Sequence, residues 1–342
     1  MKKLLAGALT LTLGLSLFAC DNKKTNKQST TEASKTTTET KKTTKITTKA
    51  KTTEKVTTEG KKETVKILTP SGTPLMSIGG LIGSDGVDIE AVNGPENLIS
   101  GLSTKSHDII IAPLTAGAKL SIAGKSEYKL EAVVTKNNTY IISKGETTLT
   151  NITDLKNKKV IAYGKNNTPD IALMNALKNN DLYDEVDITY ESDVTTATST
   201  FMGGSDYDYC LIAEPQLTSI KTKNSTIKVL DLSSYMDTTI YQAGIFVNPD
   251  ANQGRCNEVI EQIKENIKYL NEKPEEYAEA IESKNAFFTK MTKEILAASI
   301  PNANISFIKA GDNKTKINAY FAEVNEYNSA ILNGTVTDEF YR

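Results

Sequence analysis

An α/β fold of two similar lobes, with mainly parallel sheets flanked by helices, is what this sequence predicts. Two observations lead there. From Thr64 to about Val247, strand-like and helix-like stretches alternate, and such alternation gives a mainly parallel sheet wrapped by helices. One design then occurs twice, about a hundred residues apart: HDIIIAPLT at 107–115 and YDYCLIAEPQ at 207–216. Each has an acid, a buried run, an alanine and a proline that opens a helix. A chain of 342 residues has room for two domains of about 100–200 residues each.

The elements follow in order. TVKIL (64–68) reads as a strand, and Thr73-Pro74 as a helix start, a hydroxyl followed by proline at the first helical position. VDIEAV (87–92) alternates like a strand before a helix in NGPENLISGL. DIIIA (108–112) is the third strand; KLEAVVT and TYIIS give two more. KKVIAYG (158–164) is a strand, and Thr168-Pro169 repeats the helix start. VDITYE is a strand followed by a short helix in SDVTTATSTFMGG. YDYCLIA and YQAGIFV are the last clear strands. From about Asn252 the pattern is helical, with Val259, Ile260, Ile263, Ile267 and Leu270 at three- and four-residue spacing, a core-facing stripe. Pro274 divides this helix from the next, and TKEILAASI and KTKINAYFAEVNEYN give two more.

The first sixty residues are not part of this pattern. Lys2 and Lys3 precede an apolar run from Leu4 to Phe18, the length of a signal peptide rather than of a membrane span. The run ends in Ala19-Cys20, which resembles the lipobox of bacterial lipoproteins; the resemblance implies cleavage before Cys20 and acylation of its sulfur. From Asp21 to Glu63 the chain is Thr, Lys, Ser and Glu, with twelve lysines against six acids. Such a segment cannot bury enough apolar area to offset its ordering entropy. As a coil its ends would sit roughly 35–40 Å apart, a tether holding a folded body off a membrane.

Residues 64–342 then carry a net charge of about −10, with Arg255 and Arg342 the only arginines. Nucleic acid wants a basic face with Arg or aromatic readers, so no nucleic-acid partner is expected. Cys210 lies in a strand-like run and Cys256 opens a helix; two thiols in different segments read as small buried side chains. No metal-ligand spacing is present. His107, the single histidine, precedes a strand and reads as a turn residue. No catalytic set and no cofactor is expected.

In sheets of this kind ligands bind beyond the carboxyl ends of the strands, where helix N-termini point. The small residues after DIIIA let a ligand approach the free N–H groups of the next helix. One such turn is equally a plain strand–helix connection; its recurrence in a second lobe makes a cleft between lobes the natural site.

Five pieces resemble the type II solute-binding proteins of ABC importers, in the branch that includes binders of nitrate, alkylsulfonates and thiamine precursors. They are VKILTPSGTPL, GLSTKSHDIIIAPL, ITDLKNKKVIAYGKNNTP, FMGGSDYDYCLIAEP and TVTDEFYR. Their order spans nearly everything from Thr64 to Arg342. The resemblance implies a periplasmic-binding-protein type II fold: lobe one at 64–142 plus 240–342, lobe two at 143–239, and hinge strands in TYIISK and TTIYQAGI. It implies a monomer on the outer face of the cell membrane, held by its lipid anchor. There it would close on a small-molecule ligand and deliver it to a transporter permease, with no covalent chemistry.

By position, ligand contacts are expected from Ser71, Gly72 and Thr73; Asn93 and Gly94; Pro113, Leu114 and Thr115; Asn138 and Thr139; Asn167 and Thr168; Asp193; Glu214; and Tyr241. Helix capping is an equal reading for Ser71, Thr73, Thr168 and Asp193. Glu214 is equally a charge placed at a helix start, and Tyr241 equally core. The candidate loops hold Lys165 but no arginine, and two acids, Asp193 and Glu214; backbone donors alone can hold an oxyanion, but a thiamine-precursor-like or other nitrogenous ligand fits better than sulfonate or nitrate. Glu214 would accept from an exocyclic amine, a bond whose loss in Glu214→Gln costs about 2–3 kcal/mol of binding, and a tyrosine would stack. The alternatives are a sulfonate- or nitrate-type anion binder and a surface lipoprotein without a transport role. An enzyme on the same architecture needs a nucleophile or base with a partner, and none can be assembled here.

Overall fold

Two mixed sheets, each flanked by helices, organise the computed structural model, which describes residues 62–204 and 206–342. The expected leader, Cys20 and all but the last two residues of the expected tether lie outside the described residues. The chain runs β1 (Val65–Pro70), α1 (Thr73–Met76), β2 (Val87–Val92), α2 (Glu96–Thr104), β3 (Ile109–Pro113), α3 (Leu114–Ile122) and β4 (Lys129–Lys136). It continues through β5 (Tyr140–Ser143), β6 (Lys159–Tyr163), α4 (Thr168–Lys178), β7 (Asp187–Glu191), α5 (Val194–Met202), β8 (Tyr209–Ile212), α6 (Gln216–Lys223) and β9 (Lys228–Asp231). It ends with β10 (Tyr241–Val247), α7 (Gln253–Glu272), α8 (Pro274–Ile281), α9 (Lys293–Ser299), β11 (Ile305–Lys309) and α10 (Lys314–Tyr327).

The first lobe is built on a six-stranded sheet in the order β11-β4-β10-β3-β1-β2, the second on a five-stranded sheet in the order β7-β6-β8-β5-β9. Helix-linked strands are parallel: β1 with β2 and β3, β6 with β7 and β8. The remaining ladders are antiparallel: β10 lies between β3 and β4, β11 flanks β4, and β5 lies between β8 and β9. The parallel character expected from alternation thus holds for the βα units. The chain's crossings between lobes supply the strands that reverse it.

Those crossings are short. One is Asn137–Thr139, between β4 and β5; the other is Asp237–Ile240, before β10. They are bonded to each other. Asn137 stands at φ +46°, a region asparagine tolerates better than most residues; its N–H donates to Ile240 O (3.0 Å), and its Oδ1 accepts from Ile240 N (2.8 Å). The Gln242 side chain accepts from Asn138 N (3.0 Å) and donates to Asn138 O (3.2 Å), a side-chain imitation of a strand pair.

β9 and β11 were not legible as strands. KVLD is only four residues long, and ISFIK follows a helix without alternation. The stripe on α7 is core as expected: Val259, Ile260, Ile263, Ile267 and Leu270 are buried against the β1–β3 face. Cys210 and Cys256 are both free and fully buried, small hydrophobes in separate cores. His107 sits at the amino end of β3, with Nδ1 2.7 Å from Ser106 Oγ and Nε2 3.4 Å from the Glu90 carboxylate. That is the opposite end of the strand from Pro113. No helix among the described residues is long and apolar enough to cross a membrane.

Candidate functional site

The loops after β1 and β8, and those after β3 and β6, meet where the lobes meet, whereas the bonds of Asp193 are all local to α5, and Asn93 and Gly94 do not line the cavity between the lobes. After β1 the chain turns through Ser71 and Gly72, both partly exposed. Gly72 is the N-cap of α1 at φ +96°, a left-handed conformation with nothing near an added Cβ; glycine is needed there for the backbone, not for room. Ser71 N donates to Val92 O at 2.9 Å, which draws the loop carrying Asn93 and Gly94 alongside; both of those are exposed. After β3, Pro113 is followed at once by helix. Leu114 is fully buried in the core, so only its main chain can meet a ligand. α3 has neither a side-chain cap nor an acid in its first turn.

Of the first-lobe helices that follow a parallel strand, only α2 has an acid in its first turn, Glu96; the second lobe places one at every such start. Asp170, 1% exposed, accepts from Asn166 N (2.7 Å) in front of α4 and from the hydroxyls of Tyr190 and Tyr327. Asp193 caps α5, accepting from Thr196 N (2.9 Å), Thr196 Oγ1 (2.9 Å) and Ser192 Oγ (2.8 Å); the Thr196 N–H bond above all holds its carboxyl below the usual carboxylate range. Glu214 precedes α6 and accepts from Thr218 N (3.0 Å) and Thr218 Oγ1 (2.8 Å). An anion in the first turn offsets the positive end of the helix dipole.

Glu214 is 2% exposed, and burial raises its pKa above the usual value of 4.5 against the lowering effect of the Thr218 bonds. Its folded state therefore holds a proton to higher pH than the unfolded chain does. The stability this contributes is fully present below the unfolded value and is lost as pH rises through the folded one. Glu214→Gln, which has no charge to bury, should gain stability on the parent as pH rises. Urea titrations in steps from about pH 4 to about pH 8 check this, and parallel pH curves would refute it.

Three expected contact residues are bonded to one another. Thr73 Oγ1 donates to Glu214 O (2.9 Å) and accepts from Asn138 Nδ2 (2.9 Å). Asn138 Nδ2 also reaches Glu214 O (3.3 Å), and its Oδ1 accepts from Glu214 N (2.8 Å). Beside them Thr139 is buried, and Gln242 Nε2 approaches its Oγ1 at 3.4 Å.

Two others, Thr115 and Asn167, line one cavity of about 250 Å³, together with Ile99, Lys119, Asn166 and the 328–331 segment. This cavity takes its walls from both lobes: α2, α3 and the chain after α10 from one, the loop before α4 from the other. Lys119 is exposed, and its ammonium donates to Ala330 O at 3.4 Å. Asn328 Nδ2 donates to Asn166 Oδ1 (3.2 Å) across the gap. Thr168 and Tyr241 lie deeper. Thr168 Oγ1 and the Tyr320 hydroxyl are buried neighbours that make no hydrogen bond within the described chain, and the Tyr241 ring packs edge-on against Tyr320 at 5.9 Å.

Sequence reasoning missed Ile99, Lys119, Asn166, Asn328 and Gln242. Asn166 adjoins an expected contact and was within reach. The others depend on long-range packing that no local pattern announces. Asp170 was partly legible, because an acid at the third position of a helix is a capping signal.

Against known proteins, a family model described as NMT1/THI5 like matches residues 85–277. No curated protein matches the sequence. A structure described as an ABC transporter from Parabacteroides distasonis aligns with a TM-score of 0.68 at 18% identity, covering 82% of this chain and 98% of that one. The periplasmic aliphatic sulphonate binding protein SsuA from Escherichia coli aligns with a TM-score of 0.64 at 14% identity, covering 80% and 90%. A ligand-binding component of an ABC-type import system from Staphylococcus aureus, solved with zinc bound, gives 0.61 at 13% identity, covering 82% and 97%. These likenesses establish the fold, the two-lobed α/β architecture of periplasmic binding proteins.

Proposed function

Because the chain belongs to the NMT1/THI5-like family, we propose that it is an extracytoplasmic solute-binding protein that captures a small metabolite between its lobes and delivers it to an ABC transporter permease. The observation that carries this reading is the cavity whose walls come from both lobes, lined by amides, a threonine and one lysine. Ligand favours the closed arrangement only through its higher affinity for it, and hinge closure is the expected motion. The reading includes anchorage through an acylated Cys20, action as a monomer, and two lobes divided at the crossings 137–139 and 237–240. The first crossing lies slightly before the 142/143 boundary expected from the sequence, since Tyr140–Ser143 pair within the second sheet, and the second spans the expected 239/240 boundary. It assigns no covalent step.

For the ligand, a thiamine-precursor-like or other nitrogenous molecule remains the favoured class. The carboxylates of Asp170, Asp193 and Glu214 at the starts of α4, α5 and α6 support it, because a second anion at those helix starts meets like charge, although none of the three lines the cavity itself. Glu214 already serves Thr218, so a ligand amine would share one of its oxygens, which have lone pairs to spare. A second reading, an anion of sulfonate or nitrate type, is favoured by one observation: Lys119 and the uncapped first turn of α3 line the same cavity.

The test is to purify the protein without denaturation, identify any retained molecule by native mass spectrometry, and add it back in a thermal-shift assay. At a hundred times its dissociation constant a true ligand adds about 2.7 kcal/mol. A nitrogenous ligand whose binding survives high salt supports the first class. An anion whose binding weakens with salt supports the second. A broad metabolite screen that never moves the melting temperature overturns the binding role and favours a surface lipoprotein.

A further inference from the structure

Thr73, expected to touch ligand or to cap its helix, has its one hydroxyl donor and one of its two lone pairs engaged within the protein. It donates to Glu214 O and accepts from Asn138 Nδ2, each at 2.9 Å, and the residue is 6% exposed. Which of the bonds in this knot join the lobes follows from the ladders. Asn138 and Glu214 flank two strands of the same sheet, β5 and β8, whose register pairs Tyr140 with Ile212. Their mutual bonds therefore lie on the second-lobe side and survive if the lobes part. Thr73 belongs to the other lobe and cannot follow. The short helix it opens is pinned there by the Tyr277 hydroxyl on Met76 O (2.6 Å) and Asn266 Nδ2 on Ser77 O (2.7 Å).

We propose that Thr73 is a positioning residue for capture: its hydroxyl latches the two lobes at the hinge, with Asn138 and the Glu214 carbonyl as the receiving pair. The latch acts without touching ligand. It holds the loops after β1 and β8 in apposition, so that a ligand meets a cleft already partly assembled. The purpose rests on the capture role proposed above; the latch itself does not. Parting the lobes breaks both Thr73 bonds and leaves the rest of the knot intact. Two neutral hydrogen bonds of ordinary net strength weight the apposed state by about tenfold.

Hydrogen exchange on the full chain, with no ligand added, tests this. Thr73→Val keeps the shape and removes both bonds, and should speed exchange of peptides covering 71–77 and 212–218 by about tenfold. Peptides from the sheet cores at 109–113 and 160–163 should be unchanged. Thr73→Ser, which restores the hydroxyl, should return exchange to the parent rate. Asn138→Asp is a second variant; it still accepts from Glu214 N but donates neither to Thr73 nor to Glu214 O, so the latch is read from its acceleration of 71–77, which should match that of Thr73→Val. Unchanged exchange at 71–77 in both variants overturns the latch. So does acceleration spread evenly into the core peptides, which marks a merely structural role. Because no ligand enters the readout, a failed latch leaves the capture role standing, and a failed ligand search leaves the latch standing.

Discussion

Gly117→Ala destabilises the protein by about 2–3 kcal/mol in urea unfolding. On helix propensity alone the change should help, since alanine exceeds glycine by about 1 kcal/mol in a helix interior. Packing reverses the sign. A Cβ on Gly117 would stand 2.1 Å from Cζ and 2.4 Å from Cε1 of Phe246, far inside van der Waals contact. The ring has no room to withdraw. Phe246 is 1% exposed and packs edge-on against Phe340 at 6.0 Å, and Phe340 in turn lies against Phe321 (5.9 Å) and Tyr341 (5.2 Å). Overpacking a dense core costs about 1–3 kcal/mol and occasionally more, and a rigid aromatic cluster belongs at the upper end. Shortening the obstacle checks the cause. Phe246→Leu is destabilising alone, but Gly117→Ala should cost much less in that background, giving a coupling of about 1 kcal/mol or more. Strictly additive effects would show that the glycine serves something other than the approach of α3 to β10.

Asp170→Ala costs about 3 kcal/mol. The carboxylate is 1% exposed and satisfies three donors: Asn166 N in front of α4, Tyr190 from β7 and Tyr327 from α10. Removing the acceptor strands all three, and each buried unsatisfied donor costs about 1–3 kcal/mol, reduced here because both tyrosines are half-buried. Burial first, then the bond to Asp170, pushes the Tyr190 hydroxyl well above the usual phenol range. Since Tyr327 belongs to the first lobe and the other partners to the second, the loss should also loosen α4 from α10. Asp170→Asn keeps one acceptor oxygen and should cost about a third as much by the same measurement. An alanine variant as stable as the parent would mean that water replaces the carboxylate at no cost.

Much of this molecule was legible in its residues, for local reasons. The two acid–apolar–Ala–Pro stretches became β3 into α3 and β8 into α6. Thr168-Pro169 opens α4, and the stripe from Val259 to Leu270 faces the core. Each is a short-range pattern, but the expected hydroxyl caps are not there: Thr73 and Thr168 are themselves the first helical residues, after Gly72 and Asn167, and neither helix start has a side-chain cap bond. What stayed hidden is non-local. β11 was recognisable only by its neighbour β4, and Lys119 matters only because residues 328–331 return to cover it. The Thr73–Asn138–Glu214 knot was half visible. The three residues were placed in one neighbourhood, but a sequence cannot say whether polar groups that meet will satisfy one another or wait for a ligand.

The position of β10 bears on how the chain acquires this structure during synthesis. Between β3 and β4 there is a gap that only residues 241–247 can close, and the whole five-stranded sheet is made in the interval. While the ribosome extends from Lys136 to Tyr241, Ile109 to Ala112 and Leu130 to Val134 present unpaired, apolar edges, the kind that recruit other chains. The second sheet, contiguous in sequence, has no such wait. A nascent chain arrested just short of residue 241 should therefore hold one finished sheet and one open one, and it is the open one that a holding chaperone would need to shield.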